Sequence, residues 1–280
     1  MAFFDAHAHL TDERVYPQIS STLERAKGAG VTGVINVCTD SLALDRGLEL
    51  VRAHPQWILT AGGVPPHDVE AEGRDEQFQR FRKAALCGQL EAIGETGLDY
   101  FYHGGSAKAQ KQFFIQHLHL AIECSLPVVI HCRNAFADLF DITEHEYKKG
   151  GGFYPAMVHC FTGTLEEMER IVDRGWYLSI SGIVTFKNAI SLRETVERVP
   201  NDRLLIETDT PYLPPRTYRG EKNEPSFIVE TARCIGEIKH LSLEQVGRIS
   251  VENGWNFLGK TPLSSSFSPP GPFVAEGESL

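Results

Sequence analysis

The stretch Phe3–Leu10, "FFDAHAHL", opens the chain with an apolar segment carrying Asp5, His7 and His9 at every second position. Alternate residues of a strand share one face, so His7 and His9 project together, and Asp5 is expected on that face one layer deeper. Ala6, Ala8 and Leu10 are then expected to face the opposite way, toward covering helices. Alone, the pair describes hydrogen-bonded core histidines as well as metal ligands. The chain supplies a contrast in "HLH" at His117 and His119. That pair falls in a helical pattern, where positions i and i+2 lie about 200° apart and cannot share a ligand. Packing or surface roles are expected there.

Seven further apolar runs follow: Val31–Cys38, Trp57–Val64, Leu90–Thr96, Val128–Cys132, Ala156–Phe161, Tyr177–Ser181 and Leu204–Asp209. Amphipathic stretches separate them. "SLALDRGLELVRAH" starts on Ser41, a good N-cap, and "TGTLEEMERIVDRG" has a capping threonine, early acids and Gly175 after its end. "AKAQKQFFIQHLHLAIEC" carries helical periodicity. Eight strands alternating with helices over 280 residues predict an α/β fold, a single-domain (β/α)8 TIM barrel spanning residues 1–261. An open doubly wound sheet is disfavoured because no GxGxxG follows the first strand. Residues 262–280, rich in Ser, Pro and Gly, predict a disordered tail.

The bulk numbers exclude several classes. A formal net charge of −10 without a Lys/Arg block gives no general affinity for nucleic acid, so an anionic substrate needs a local positive site. The six cysteines form no CxxC pair and read as reduced, buried thiols of a cytoplasmic protein, or a nuclear one in a eukaryote. No signal peptide and no apolar run of membrane-spanning length is expected, nor an obligate protein partner.

Barrel enzymes carry their chemistry at the C-terminal ends of the strands. Here those ends hold His7 and His9, Glu95, His131, His159 and Asp209. Six ligand-type side chains at one level of five strands are more telling than any one of them. Imidazole and carboxylate donors suit Zn²⁺ and Mn²⁺, and carboxylates also suit Mg²⁺. Two divalent ions fit if one carboxylate bridges. Two dications less Glu95 and Asp209 leave a local charge of about +2, enough to dock a phosphate on an acidic protein.

At these residues the sequence resembles the TatD family of metal-dependent deoxyribonucleases, within the amidohydrolase-like superfamily. The matching stretches are "DAHAHL", "AIGETGLDYF", "PVVIHCR", "VHCFTGT", "LLIETDTPYL" and "KNEPSFI", in order from about Phe3 to Phe257. The resemblance implies one metal on His7, His9, Glu95 and Asp209, and a second on Glu95, His131 and His159. It implies catalytic roles for Glu95, as the bridge, and for Asp209, which would orient and deprotonate the bridging water. It also implies cleavage of DNA phosphodiesters, on single strands or 3′ ends, with Mg²⁺ or Mn²⁺ in activity and Zn²⁺ also suited. A dinuclear amidohydrolase or lactonase is the alternative enzyme, and a non-catalytic binding barrel is the third reading. One departure stands out: the family commonly reads "GVHPH" after its third strand, whereas this chain has "GVPPHD", with Pro65 at the first histidine and His67 retained.

Around the ligand set, Arg133, His67, Tyr100 and Asn223 are the candidate substrate contacts. Arg133 binds phosphate or pairs with an acid such as Glu207. Tyr100, Phe101 and Tyr102 stack on bases or pack over the rim. Asn223 and Glu224 order the substrate loop or cap the helix near Pro225. Asp99 orients a ligand or is a loop acid, and Glu207 supports from a deeper layer. Cys132 and Cys160 have the parity to face away from the metals.

Overall fold

In a computed structural model the chain is described over residues 1–102 and 104–261; the tail expected at 262–280 lies outside the described residues. Eight strands form one sheet in sequence order: β1 (Phe3–Ala8), β2 (Val31–Cys38), β3 (Ile58–Gly62), β4 (Ala92–Asp99), β5 (Val128–Arg133), β6 (Ala156–Val158), β7 (Tyr177–Ile180) and β8 (Leu204–Ile206). All neighbours pair in parallel. The last strand returns to the first through a parallel bridge from Ala8 to Thr210. Two hydrogen bonds close this seam, from His9 N–H to Thr210 O (2.8 Å) and from Asp209 N–H to His7 O (2.9 Å). The sheet is therefore the expected (β/α)8 barrel. A short antiparallel hairpin, Lys148–Lys149 with Gly152–Phe153, is an addition the sequence pattern did not announce.

Nine helices are described: α1 (Ile19–Gly28), α2 (Ser41–Ala53), α3 (Arg74–Leu86), α4 (Ala107–Cys124), α5 (Phe136–Glu146), α6 (Leu165–Asp173), α7 (Ile190–Arg198), α8 (Ile228–Lys239) and α9 (Leu243–Phe257). The periodic stretch 107–124 is α4 from end to end. Thr164 and Glu167 close α6 with a reciprocal capping box. In α2, Ser41 is the first helical residue and Asp40 takes the cap, its carboxylate accepting from Ala43 N–H at 2.8 Å. No described helix is long and apolar enough to cross a membrane.

Two apolar layers hold the barrel. Ile35, Val37, Leu59, Ala61, Ala92, Val129, Met157 and Leu205 fill its inside together with Phe4 and Ala6. Trp255, Phe257 and Leu258, at the end of α9, plug the N-terminal end of the strands, with the Trp255 ring edge-on to Phe4 at 5.7 Å. Ala8, Leu10, Ile93 and Leu98 belong instead to the layer between strands and helices.

That division corrects the parity expected for the first strand. Ala6 faces the barrel inside, and Asp5 does not share a face with His7. Pairing of β1 with β2 slips between Asp5 and Ala8, which turns the strand over just before the histidines. Asp5 lies against the segment just after β8, where its carboxylate accepts from Thr208 N–H (2.9 Å) and Thr208 Oγ1–H (2.7 Å). A second slip, in β4 against β5 between Ile93 and Thr96, brings Glu95 inside although Ile93 points out. The glycines on either side of Glu95 permit this. Gly94 and Gly97 take φ of 129° and 143°, and a Cβ on them would collide with the carbonyls of Val129 and His131.

Candidate metal centre

All six predicted ligands meet at the C-terminal mouth of the barrel. His7 Nε2 and His9 Nε2 are 3.1 Å apart. Both lie 3.6–3.7 Å from Glu95 Oε2 and 3.6 Å from Asp209 Oδ1. On the other side, His131 Nδ1 and His159 Nε2 are 3.1 Å apart. They lie 3.1 and 3.2 Å from Glu95 Oε1. A tetrahedral ion with bonds of about 2.0–2.1 Å has ligand-to-ligand edges of about 3.3 Å. Both donor groups match that spacing, and Glu95 gives one oxygen to each.

Neighbouring groups fix which ring nitrogen faces the centre. His9 Nδ1 donates to Val37 O at 3.2 Å, which leaves the Nε2 lone pair inward. His131 Nε2 donates to Asp99 Oδ2 at 2.8 Å, which turns Nδ1 inward. Glu207 Oε1 accepts from Cys160 N–H at 2.8 Å and lies 3.5 Å from His159 Nδ1, the deeper supporting role expected of it. His7 Nδ1 is buried without a hydrogen-bond partner among the described residues, and the His7 ring stacks on His159 at 3.9 Å.

Asp99 is the hub of this support. β4 runs to Asp99, three residues beyond the expected end at Thr96. Its Oδ1 accepts from the N–H groups of Phe101 and Tyr102, both at 2.8 Å. Its Oδ2 holds His131 and, at 3.1 Å, His67 Nε2. Gln110 of α4 brackets the Asp99 backbone from N–H and carbonyl.

The electrostatics separate the two carboxylates. Burial penalises the charged form of Glu95, but the fields of His159 and His131 and their hydrogen bonds hold it well below the usual carboxylate range. Burial drives Asp209 well above that range, and the nearby acids Glu207 and Glu95 push the same way. His7 is held well below its ordinary value by burial and by His159 and His9. Burial works against charge on His159 also, but Glu95 and Glu207 lift it well above. Two acids and four histidines in one buried space thus cannot all take their preferred charge. Divalent cations relieve that frustration, since they want ionised carboxylates and neutral imidazoles together.

The centre opens on a cavity of about 1140 Å³. Of the four candidate substrate contacts Arg133 and His67 line it, as does Pro65, whereas Tyr100 and Asn223 do not. The Tyr100 hydroxyl turns outward to Asp138 at 2.7 Å, and Tyr102 takes the rim instead. Asn223 is buried, donating to the carbonyls of Thr208 and Tyr212, both at 2.6 Å, and so ties the loop after β8. Arg133 does not pair with Glu207; its guanidinium lies 4.0 Å over the Phe101 ring and 4.9 Å over Tyr102. Cys132 packs in the outer layer and also touches the cavity wall, and Cys160 lines the cavity with its Sγ 3.2 Å from Ser181 Oγ. β6 ends at Val158 and Cys160 takes φ of 44°, so strand parity no longer applies there. Arg14, Arg46 and Tyr212 also line the cavity. No local motif flags them, although Arg14 follows β1 on the face where barrel loops carry function.

A family profile described as "TatD related DNase" matches residues 4–259. The chain belongs to the TatD family. Among TatD relatives, it is 36% identical over 250 residues to the uncharacterized metal-dependent hydrolase YabD of Bacillus subtilis, covering 89% of this chain and 96% of that one. It is 33% identical over 258 residues to the 3′-5′ ssDNA/RNA exonuclease TatD of Erwinia tasmaniensis, covering 90% and 97%. The crystal structure of YJJV, a TatD homologue from Escherichia coli, superposes with a TM-score of 0.83 at 25% identity, covering 92% of this chain and 98% of that one. As a TatD-family member the protein is a metal-dependent hydrolase, and the histidine–carboxylate groups at the barrel mouth are its candidate metal-binding clusters.

Proposed function

We propose that this protein hydrolyses phosphodiester bonds of DNA, on single strands or at 3′ ends, with two divalent ions, Mg²⁺ or Mn²⁺ for activity. Zn²⁺ also suits the donor set. The observation that carries the reading is Glu95, whose two oxygens serve two separate donor groups. Bound there, divalent cations would lower the pKa of a water between them and offset phosphate charge. His7, His9 and Asp209 would hold one ion, and His131 and His159 the other, with Glu95 serving both. Ionised beside bound cations, Asp209 would orient the attacking water and take its proton. Arg133 and His67 face a docked phosphate from the β5 and β3 sides. A relative named as an exonuclease of single-stranded DNA and RNA supports the substrate class. The six free thiols fit the cytoplasmic location expected from the sequence.

The test is metal-stripped protein given an end-labelled oligonucleotide with and without Mg²⁺ or Mn²⁺. Cleavage restored by metal and abolished in His131→Ala is expected. Turnover of neutral esters or lactones without any nuclease activity would replace the reading with the amidohydrolase alternative.

A further inference from the structure

The mouth of the barrel has two cationic, aromatic edges, and they stand on opposite sides of the centre. One edge is built by the ends of β4 and β5. There Arg133 lies over Phe101 and Tyr102, rings that are 49% and 52% exposed. Arg133 has no carboxylate partner among the described residues. The other edge is built by the segments after β1 and β8 and by α2. Arg14 lies 4.4 Å over the Tyr212 ring, which is 44% exposed. Arg46 of α2 donates to Thr11 O at 3.2 Å and covers Tyr16 at 4.6 Å. In an eight-stranded barrel the first and fifth strands are opposite, as are the fourth and eighth, so the metal centre lies between these edges.

Charge on the second edge falls to Arg46. Arg14 is clamped by Asp12 through two hydrogen bonds of 2.9 and 2.8 Å, so its charge is offset. Asp40, also in the cavity wall, is occupied capping α2. Arg46, by contrast, has no carboxylate within ion-pair distance among the described residues. Each edge therefore offers one guanidinium without an ion-pair partner among the described residues, and each carries an exposed tyrosine in the cavity wall, the combination that tracks a phosphate backbone and stacks a base. The cavity of about 1140 Å³ also exceeds the roughly 300–1,000 Å³ that serves a small ligand.

We propose that a single-stranded nucleic acid crosses the whole mouth of the barrel, held on one side by Arg133 with Tyr102 and on the other by Arg46 with Tyr212. This rests on the nuclease reading above and extends it. Phosphates flank the scissile one on both sides, so a bond inside a strand is within reach as well as one at an end.

A covalently closed single-stranded circle of about 40 deoxynucleotides tests this directly, beside a linear strand of the same sequence, with Mn²⁺ and with His131→Ala as the blank. The expected result is opening of the circle by the native protein. Arg46→Gln and Arg133→Gln each slow that opening several-fold, and Arg46→Lys, which keeps the charge, restores it. In parallel, binding of a fluorescent eight-nucleotide strand is followed against salt. Each Gln variant should lower the log–log slope by about 0.7, the value for one phosphate contact on a single strand. Degradation of the linear strand with the circle untouched, or a slope changed by only one variant, overturns two-sided binding and leaves the nuclease reading intact. Binding with both slope changes but no cleavage of either strand overturns the nuclease reading and leaves the two-sided cleft. Neither binding nor cleavage overturns both.

Discussion

Asp99 Oδ2 accepts a hydrogen bond from His131 Nε2 at 2.8 Å, and this sets His131 Nδ1 3.1 Å from Glu95. A carboxylate outside the donor groups thus decides which nitrogen of a ligand histidine looks inward. Asp99→Asn removes the charge that fixes this tautomer but preserves the side-chain shape. Metal affinity should fall about 10–100-fold, as is typical when such a supporting group is lost. Competition with a chromogenic chelator measures it. Excess metal should restore much of the activity, which a folding defect would not allow.

Glu95 serves both donor groups, so it cannot be neutralised without touching both. Glu95→Gln should reduce bound metal from the proposed two ions per chain to one or fewer, read by elemental analysis of dialysed protein. Two ions retained would mean that Glu95 does not bridge.

Chelation should destabilise the folded chain. A ligand present at 100 times its dissociation constant stabilises by about 2.7 kcal/mol. For a chain of this size that corresponds to about 5 °C in Tm. Calorimetry with and without EDTA should show a drop of this order, reversed by Mn²⁺. A His7→Ala, His9→Ala double variant should show a much smaller drop.

His117 makes stability depend on pH. It is fully buried, with Val64 N–H donating to Nε2 at 3.0 Å and Nδ1–H donating to Phe113 O at 2.7 Å. Burial lowers it from 6.5 to about 4, and the bond to Phe113 only partly opposes this. Between those values the unfolded chain binds the proton and the folded chain does not, so stability rises with pH in that window. The contribution is complete above pH 6.5 and is lost as pH falls through 4, on the order of 3 kcal/mol. His117→Gln, which can still accept from Val64, should flatten urea-unfolding stability across that interval.

Much of this was legible in the sequence. Each strand is a short apolar run, and the six ligands could be found because barrel topology puts chemistry at strand ends. His117 and His119 were separated from His7 and His9 by helical geometry alone. The misplacements share one cause. Asp5 and Ala6 were assigned to the wrong faces because a one-residue slip in pairing inverts a strand, and pairing register is not written in a single strand. Cys160 escaped parity because its strand ends two residues earlier, at Val158. Tyr100 was named where Tyr102 lines the cavity because Asp138, 38 positions along the chain, claims the Tyr100 hydroxyl. Asp99 was left between two roles because its partners, His67 and His131, come from two other strands' ends.

The glycines beside Glu95 bear on how such chains are sorted in genomes. Gly94 and Gly97 answer to the backbone of β5, whereas Glu95 answers to the centre. A descendant that lost its chemistry would still need both glycines to stay folded and would be free to replace the acid. The glycine frame of "GETG" around a residue other than Glu therefore marks a retired copy. A saturation library scored once for soluble expression and once for hydrolysis would pull these constraints apart within four residues.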